Sequence, residues 1–308
     1  MVRIFTIGIL LVLTAAQPVP ATAEDGSYTF FSAPILMGAH RGGADLWPEN
    51  TIEAFKQAAV QFPGILLETD ARLCADGAVV LIHDATIDRT TDGTGAVADL
   101  TLAEIKALDA GYRFTRDGGA TFPYRGKGIR VPTLDEILVA LPDSRFLIEF
   151  KGEPALAEAS LRILREQRAI DRVLIASFKP ETMARVRELA PELPTCYDFT
   201  DGAALLTALR SEAWDNYAPT NNVLSLDEGM LPQFQISMED LQRIRGKGIK
   251  VQLHTINDLP RIREILSAGV DSILSDRPDL LAEAIAEFDP ALTGKQAALD
   301  PARDATAK

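Results

Sequence analysis

Apolar, strand-like runs alternate with amphipathic helical stretches along most of this chain of 308 residues. Nine runs have the length and composition of strands, at 35–39, 64–70, 78–83, 145–150, 172–177, 193–197, 221–226, 249–254 and 271–275. Between most of them Leu, Ile and Ala recur at helical spacing, over 51–62, 133–140, 156–167, 180–190, 237–246 and 259–267. Such alternation favours parallel strands joined by crossover helices, and the chain is long enough for one full barrel. We therefore predict an α/β fold, a single (β/α)8 TIM barrel.

The chain has nine strand-like runs, one more than an eight-stranded barrel needs, and a β-hairpin explains the additional run. Only eight residues separate Asp70 from Val79, too few for a crossover helix, and the dipeptide Asp76-Gly77 favours a two-residue type I′ turn. With that turn, Asp70 pairs with His83 across the ladder, and Glu68 shares a strand face with Asp70. We expect one face to collect these three side chains, and a bulge at the turn would shift the pairing by one residue.

The first 23 residues have the composition of a secretory signal peptide. Arg3 gives a basic start, residues 4–16 are apolar, and residues 21–23 offer a small-residue cleavage site before Glu24. The apolar run is shorter than the roughly 20 residues of a membrane-spanning helix, so we expect no stable membrane anchor. We predict export to the periplasm or secretion, with the barrel over 24–288 and a disordered, Ala-rich tail over 289–308.

The net charge limits the partners of the exported chain. The whole chain carries a formal charge of −13, and removal of residues 1–23, whose one charged residue is Arg3, leaves −14. Nucleic acid and anionic membranes are polyanions and would repel such a protein, so we expect neither as a partner. The oligomeric state is not fixed by the sequence. Cys74 and Cys196 lie far apart in the chain, and we expect separate thiols rather than a disulfide.

Charged and imidazole side chains stand where the first four strand-like runs end. These side chains are His40, Arg41, Glu68, Asp70, His83, Glu149 and Lys151. In a (β/α)8 barrel the carboxyl ends of the strands form one face, and active sites lie at that face. The sequence therefore predicts that these side chains meet in one active site.

The motifs around these side chains resemble the glycerophosphodiester phosphodiesterase family, over about residues 35–285. The same order of motifs includes Pro48-Glu49-Asn50-Thr51 and the runs 88–95 and 269–278. The resemblance implies hydrolysis of a small-molecule glycerophosphodiester, such as glycerophosphocholine or glycerophosphoethanolamine, to sn-glycerol 3-phosphate and an alcohol. It also implies a small subdomain over the barrel mouth, inserted after the strand that carries His83, at about 84–132. The alternative for this segment is a surface excursion without contact to substrate.

Phosphodiester hydrolysis gives a reason for the carboxylates and the histidines. Glu68, Asp70 and Glu149 would repel one another unless a cation neutralises them, and oxygen ligands select a hard divalent metal, Ca²⁺ or Mg²⁺. The imidazole of histidine has an unperturbed pKa near neutrality, so one of His40 and His83 could accept a proton and the other donate one. Which histidine is the acid stays open.

The residues around the carboxylates and histidines each have more than one possible role. Arg41 and Lys151 are candidates to bind the nonbridging phosphate oxygens, although Lys151 could simply pair with Glu149. Asn50 could cap the helix that follows it or position the site. Asp84 could orient His83 or cap the next segment.

His254 departs from the family pattern. The run 249–254 ends in His254-Thr255-Ile256-Asn257, where the family usually has Trp-Thr-Val-Asn. His254 is therefore a candidate to line the pocket and contact the substrate. The alternative is a packed or solvent-facing histidine without a role.

Other functions are weaker interpretations of the same residues. A lysophospholipase D-like phosphodiesterase would need an apolar groove for an acyl chain. A glycosidase would use paired carboxylates but gives no reason for the two histidines, Arg41 and Lys151. A non-enzymatic solute-binding barrel is expected to have lost at least one catalytic position, and none is lost here. For the hydrolase, we hypothesise that the glycerol 2-hydroxyl attacks the phosphorus to give a cyclic 1,2-phosphate, which water then opens.

Overall fold

The computed structural model describes residues 28–32, 34 and 37–288 of the chain. The strands are β1 Met37–Ala39, β2 Leu66–Leu73, β3 Val79–Leu81, β4 Arg145–Phe150, β5 Val173–Ala176, β6 Val223–Asp227, β7 Lys250–His254 and β8 Ser272–Ser275. The helices are α1 Ile52–Gln61, α2 Leu102–Ala107, α3 Leu134–Ala140, α4 Pro154–Glu166, α5 Pro180–Leu189, α6 Phe199–Leu209, α7 Met230–Gln233, α8 Met238–Arg245, α9 Leu259–Ser267 and α10 Pro278–Phe288.

The strands form a closed parallel barrel. Hydrogen-bonded neighbours follow the order β5-β4-β2-β1-β8-β7-β6, and β3 lies outside this path, antiparallel to β2. Residues 195–196 close the ring, because Thr195 bridges Ile175 of β5 and Cys196 bridges Val223 of β6, both in parallel. The run 193–197 therefore takes the eighth position through isolated bridges. The predicted (β/α)8 barrel is confirmed.

Polar caps set where the helices begin. Thr51, Thr133 and Ser237 each accept a hydrogen bond from a backbone N–H in the first turn. The sequence predicts these three helices within one residue of their bounds. It does not predict α6, because the apolar residues of α6 are spread around the helix and only Leu205 and Leu209 are buried.

The predicted hairpin forms, but its predicted register is wrong by one residue. Asp70 lies opposite Ile82 rather than His83, and the Ile82 N–H donates to Asp70 O at 2.9 Å. The turn spans three residues, 75–77, instead of two, and Gly77 takes the positive φ of 79° that such a loop requires at its last position. The chain leaves the ladder after β3, so His83 is placed by the following loop rather than by strand pairing.

Apolar side chains fill the interior of the barrel at the amino ends of the strands. The inner cluster consists of Tyr28, Phe30, Leu66, Leu147, Leu174, Cys196, Val223 and Leu274. Tyr28 and Phe30 come from the segment before β1, and the Arg145 guanidinium holds this segment by donating to Phe30 O at 3.1 Å. The intervening strand positions, such as Leu67 and Ile148, pack outward against the helices. The barrel therefore has a closed, apolar floor.

The segment 84–132 forms a small unit beside the barrel. It contains α2 and an antiparallel bridge from Thr86 to Ala96, and residues such as Ile87, Val97 and Ile105 pack with β3 in a cluster of their own. None of its residues lines the central cavity described below, within the part of the chain that the structure describes. Its predicted role as a substrate cap stays a prediction.

The predicted signal peptide and the predicted disordered tail at 289–308 lie outside the described residues. Cys74 and Cys196 are buried, unpaired thiols, as expected. Across 28–32, 34 and 37–288, no helix has both the length and the apolar character needed to cross a bilayer.

Candidate active site

Strand parity places the polar residues inside the barrel mouth. Leu66 belongs to the inner cluster, and steps of two along β2 reach Glu68 and Asp70; the same step along β4 leads from Leu147 to Glu149. An open cavity of about 860 Å³, counting space open to solvent, lies at these strand ends. Its lining includes His40, Arg41, Glu68, His83, Glu149, Lys151 and His254.

The three predicted metal ligands form one cluster. An oxygen of Glu68, of Asp70 and of Glu149 lies within 4.8 Å of the other two. Asp70 and Glu149 are direct register partners on β2 and β4, and Asp70 is 1% exposed. This set offers only oxygen donors, which suits Ca²⁺ or Mg²⁺.

Electrostatics in the cluster indicate a place for a cation. Burial, and then the negative charge of Asp70, raise the pKa of Glu68 to about 8. Burial would also raise the pKa of Asp70, but Lys151 and Arg41 outweigh it and hold that pKa below its usual value. Glu68 thus keeps its proton at neutral pH, because burial and the neighbouring negative charge disfavour its ionised form. A divalent ion would supply positive charge, so the residues fit the expected metal.

Lys151 and Arg41 lie on either side of Asp70. Lys151 Nζ is 3.3 Å from Asp70 Oδ1 and 2.7 Å from Glu149 Oε2, so the pairing considered as an alternative does occur, inside the cavity. Burial would lower the pKa of Lys151, but Glu149 and Asp70 raise it, and the amine stays charged. Arg41 Nε is buried 3.5 Å from Asp70 Oδ2 without a hydrogen-bond partner in the described chain. Both cations line the cavity beside the carboxylate cluster.

Two residues with left-handed backbone conformations build the turn after β1. Arg41 has a φ of 51°, which directs its N–H to Glu68 Oε2 at 2.7 Å. Asn50 has a φ of 54°, and its side-chain NH₂ donates to Asp70 Oδ2 at 3.0 Å while its Oδ1 accepts from Thr69 Oγ1 at 2.7 Å. Thr51, not Asn50, caps the following helix. Of the two roles considered for Asn50, the structure shows the positioning of Asp70.

His40 is held by residues from the opposite end of the chain. Its Nδ1 lies 2.7 Å from Asp276 Oδ1, and its Nε2 lies 3.9 Å from Glu68 Oε2. Asn257 donates to Asp276 Oδ2 at 2.7 Å and thereby fixes that carboxylate. Burial would lower the pKa of His40, but Glu68 and Asp276 outweigh it, and the pKa is raised. With Nδ1 bound to Asp276, Nε2 is the nitrogen left to exchange protons in the cavity.

His83 is oriented by its neighbour. Its Nδ1 lies 2.7 Å from Asp84 Oδ1, and Arg89 Nε donates to Asp84 Oδ2 at 2.6 Å. Arg89 also binds Glu49, which links the inserted segment to the turn after β1. Hydrogen bonding to Arg89 holds the pKa of Asp84 well below its usual range, so Asp84 is a charged partner for His83. Of the two roles considered for Asp84, the structure shows the orientation of His83.

His254 lines the cavity at the end of β7, and its peptide bond to Thr255 is cis. Burial, and then the nearby His40, lower the pKa of His254 to about 4. The imidazole is therefore neutral at pH 7. Its contact with substrate is not shown and stays a prediction.

The structure adds several residues to the site to which the sequence analysis assigns no role. Asp276 ends the motif 269–278 and Asn257 follows His254 by three residues, so both stand at strand ends that the sequence identifies. Arg72 donates to His83 O at 2.6 Å and to Lys151 O at 3.0 Å, and thus ties two site loops together. No local sequence signal separates Arg72 from an ordinary strand arginine.

Comparisons with known proteins agree with this geometry. Residues 40–280 match the model of the "Glycerophosphoryl diester phosphodiesterase family". A glycerophosphodiester phosphodiesterase from Caldanaerobacter subterraneus subsp. tengcongensis is 34% identical over 258 residues, which cover 81% of this chain and 97% of that protein.

Solved structures share the fold. A glycerophosphodiester phosphodiesterase from Agrobacterium tumefaciens is 28% identical with a TM-score of 0.63, covering 80% of this chain and 99% of that one. A phosphodiesterase from Oleispira antarctica, solved in complex with its product sn-glycerol-3-phosphate, is 26% identical with a TM-score of 0.68. That comparison covers 83% of this chain and 98% of the other.

Proposed function

Because this chain belongs to the glycerophosphoryl diester phosphodiesterase family and is a phosphoric diester hydrolase, we propose that it releases sn-glycerol 3-phosphate with a divalent metal and two histidines. One observation carries the proposal. Two oriented imidazoles and a cluster of three carboxylates, two of which line the cavity, meet at the barrel mouth. The product bound by the related phosphodiesterase from Oleispira antarctica is the expected product here.

The carboxylate cluster of Glu68, Asp70 and Glu149 would hold the metal, Ca²⁺ or Mg²⁺. When bound, such an ion neutralises the cluster and withdraws charge from a nonbridging phosphate oxygen. Lys151 and Arg41 border the same cluster and would hold the remaining oxygens, Arg41 with the buried N–H that has no other acceptor among the described residues.

His40 and His83 would move the protons. Each is fixed through Nδ1 by a carboxylate at 2.7 Å, Asp276 for His40 and Asp84 for His83. The same nitrogen is used in both, so each presents Nε2 as the free position. One imidazole can take the proton of the attacking hydroxyl, and the other can give a proton to the departing alkoxide.

The attacking hydroxyl in this proposal is the glycerol 2-hydroxyl of the substrate. It is tethered next to the phosphorus, and intramolecular attack gains an effective molarity that free water lacks. The product of this step is a cyclic 1,2-phosphate and the free alcohol. Water then opens the ring while the two histidines exchange roles, which returns both to their starting protonation states.

A glycerophosphodiester fits the cavity better than a lysophospholipid. Three apolar lining residues, Leu147, Cys196 and Leu274, belong to the packed floor of the barrel and offer no channel. The apolar lining that remains consists of Ala176, Phe178 and Tyr197, and three residues give an acyl chain little surface to bury. We therefore keep the lysophospholipase D-like activity as the second candidate.

We also propose that residues 1–23 are removed on export and that the enzyme works in the periplasm or outside the cell. The basic start, the apolar run and the small-residue site before Glu24 support this. Amino-terminal sequencing of exported protein should give Glu24 as the first residue. A mature chain that begins at Met1 would contradict export by cleavage.

The metal dependence of the activity is tested by removing the metal from the enzyme and adding it back. Purified enzyme should lose glycerophosphocholine hydrolysis in excess chelator, and dialysis into Ca²⁺ or Mg²⁺ should restore it, while Zn²⁺ should restore it poorly because the ligand set has no nitrogen or sulfur donor. Release of sn-glycerol 3-phosphate is the readout. Full activity after chelation and dialysis would show that the carboxylates act without a metal.

A further inference from the structure

Two charged residues from separate sequence motifs meet outside the central cavity. Arg89 belongs to the motif 88–95 of the inserted segment, and Glu49 belongs to the motif 48–51 in the turn after β1. The Arg89 guanidinium donates from Nη1 to Glu49 Oε2 at 2.6 Å and from Nη2 to Glu49 Oε1 at 2.8 Å. A two-point ion pair therefore joins the inserted segment to the barrel.

The other edge of the same guanidinium binds Asp84. Arg89 Nε donates to Asp84 Oδ2 at 2.6 Å, and Nη2 donates to Asp84 Oδ1 at 3.3 Å. The same Asp84 Oδ1 lies 2.7 Å from His83 Nδ1. A continuous line of polar contacts thus runs from Glu49 through Arg89 and Asp84 to the imidazole.

His83 depends on this line because no strand holds it. β3 ends at Leu81, and His83 and Asp84 lie in the loop that follows. Arg72 binds the carbonyl oxygen of His83 at 2.6 and 2.9 Å, which fixes the backbone but not the imidazole. The side chain of Asp84 is 31% exposed, so without a second partner it can turn toward solvent and release the ring.

Both ends of the Arg89 contact are anchored by packing. The side chain of Glu49 is only 13% exposed, and Arg41 Nη1 also donates to it, at 3.2 Å. The loop that carries Arg89 is closed by the Ile87 N–H, which donates to Gly95 O at 3.0 Å. Ile87 is 1% exposed and belongs to the apolar cluster that the inserted segment forms with β3. Arg89 therefore extends from a well-packed loop to a largely buried carboxylate.

We propose that Arg89 and Glu49 are positioning residues for the reaction, because they hold the Asp84 carboxylate that in turn orients His83. The segment 84–132 is then a brace for His83, a role that needs no contact with the substrate. The proposal rests on the function proposed above, in which His83 transfers a proton. A guanidinium suits this place because its two edges bind two carboxylates at once, which a lysine ammonium cannot do.

Replacement of Arg89 tests the brace in the hydrolysis of glycerophosphocholine. In Arg89→Gln the imidazole loses its alignment for proton transfer, so kcat should fall by about 10- to 100-fold while KM stays within about twofold. Arg89→Lys keeps the charge but not the fork, and its kcat should fall by at least about tenfold. Arg89 is 47% exposed, and its ion pairs contribute little to stability, so Tm should change by about 2–4 °C at most.

Arg130→Gln is the matched control. Arg130 is an exposed arginine of the same segment, but its Nη1 donates to Ala107 O at 2.8 Å and to Leu108 O at 3.0 Å, both inside the segment. Its replacement should leave kcat and KM within about twofold of wild type, with a similarly small change in Tm.

Double variants show whether Arg89 acts through Asp84. Asp84→Asn alone should lower kcat by about 10- to 100-fold, because it removes the charged partner of His83. If both residues act on His83 through one line of contacts, Asp84→Asn combined with Arg89→Gln should lower kcat no further than the larger single loss, within about twofold. Glu49→Gln combined with Arg89→Gln should likewise match the larger single loss.

The outcomes separate this inference from the function on which it rests. A wild-type kcat in Arg89→Gln or in Arg89→Lys would overturn the positioning role and leave the hydrolase standing. Losses that multiply when Asp84→Asn and Arg89→Gln are combined would overturn it too, because the two residues would then act independently. If the wild-type enzyme releases no sn-glycerol 3-phosphate from glycerophosphocholine, the proposed function fails and this inference fails with it.

Discussion

Asp276→Asn should separate the orientation of His40 from its charge. The Asp276 carboxylate accepts two short hydrogen bonds, from His40 Nδ1 and from Asn257 Nδ2, each at 2.7 Å. An asparagine offers one oxygen and one NH₂ in the same place. If the oxygen stays with His40, the new NH₂ faces the NH₂ of Asn257, donor against donor.

Asn257 cannot relieve this conflict by turning over. Its Oδ1 already accepts the Asp276 N–H at 2.8 Å and the Ser275 hydroxyl at 3.1 Å, and a flip would break both bonds. The variant therefore loses a charge-assisted hydrogen bond that is worth about 1.5–3 kcal/mol. If that loss falls on the alignment of His40 in the transition state, kcat/KM drops roughly 10- to 150-fold.

The pH profile shows which proton role His40 has. Burial lowers the pKa of His40 while Glu68 and Asp276 raise it, so removal of the Asp276 charge must move that pKa downward. If His40 acts as the acid, the alkaline limb of kcat/KM moves to lower pH. If His40 acts as the base, the acidic limb moves to lower pH instead.

The assay is kcat/KM for glycerophosphocholine between pH 5 and pH 10 with saturating metal. Asp279→Asn is the matched control, because Asp279 is an aspartate three residues away that pairs with Arg277 instead of His40. The control should stay within about twofold of wild type, as expected for an exposed ion pair. A kcat/KM of Asp276→Asn within twofold of wild type, with both limbs in place, would refute the positioning role of Asp276.

Three further predictions concern the metal, His83 and the attacking hydroxyl. The pKa of Glu68 is raised to about 8, so the stability that protonated Glu68 gives the metal-free protein is lost as pH rises from about 4.5 to 8. Ca²⁺ or Mg²⁺ should therefore raise Tm more at pH 8.5 than at pH 6. Equal shifts in Tm at the two pH values would contradict the cluster as the binding site. His83→Ala should lower kcat by about 10²- to 10⁴-fold with little change in Tm, and a variant that melts far earlier at an unchanged rate would show a structural role. A substrate without the glycerol 2-hydroxyl should bind but turn over very slowly, whereas turnover within a few-fold of the natural diester would exclude the cyclic phosphate.

Much of the fold and the location of the site follow from the sequence because both depend on strand periodicity. Parity along one strand places Glu68 and Asp70 on the inner face, and the barrel brings the end of β4 beside them. The prediction that the site residues lie at the strand ends required no knowledge of individual side-chain contacts. The roles of the residues placed there remain for the experiments above.

Local turn chemistry alone does not determine the register of the hairpin. Asp76-Gly77 suits a two-residue turn, yet the loop uses three residues with Gly77 in the left-handed position, and one residue of difference moves Ile82 to the place expected for His83. His83 still lines the cavity, because the loop after β3 carries it there. Partners that come from distant chain segments, such as Asp276 for His40, likewise depend on tertiary packing.

Glu68 joins the two halves of the site. Its Oε2 accepts the Arg41 N–H at 2.7 Å and faces His40 Nε2 at 3.9 Å, while its carboxyl belongs to the cluster with Asp70 and Glu149. Its charge therefore contributes both to cation binding and to the proton affinity of His40. Glu149 has Lys151 as its ion-pair partner, and its charge is not among the main influences on the pKa of His40. A loss of the Glu68 charge should thus change the pH dependence of the reaction as well as its metal requirement. A loss of the Glu149 charge should change the metal requirement, and it should reach the pH dependence only indirectly, because Glu149 helps to raise the pKa of Glu68.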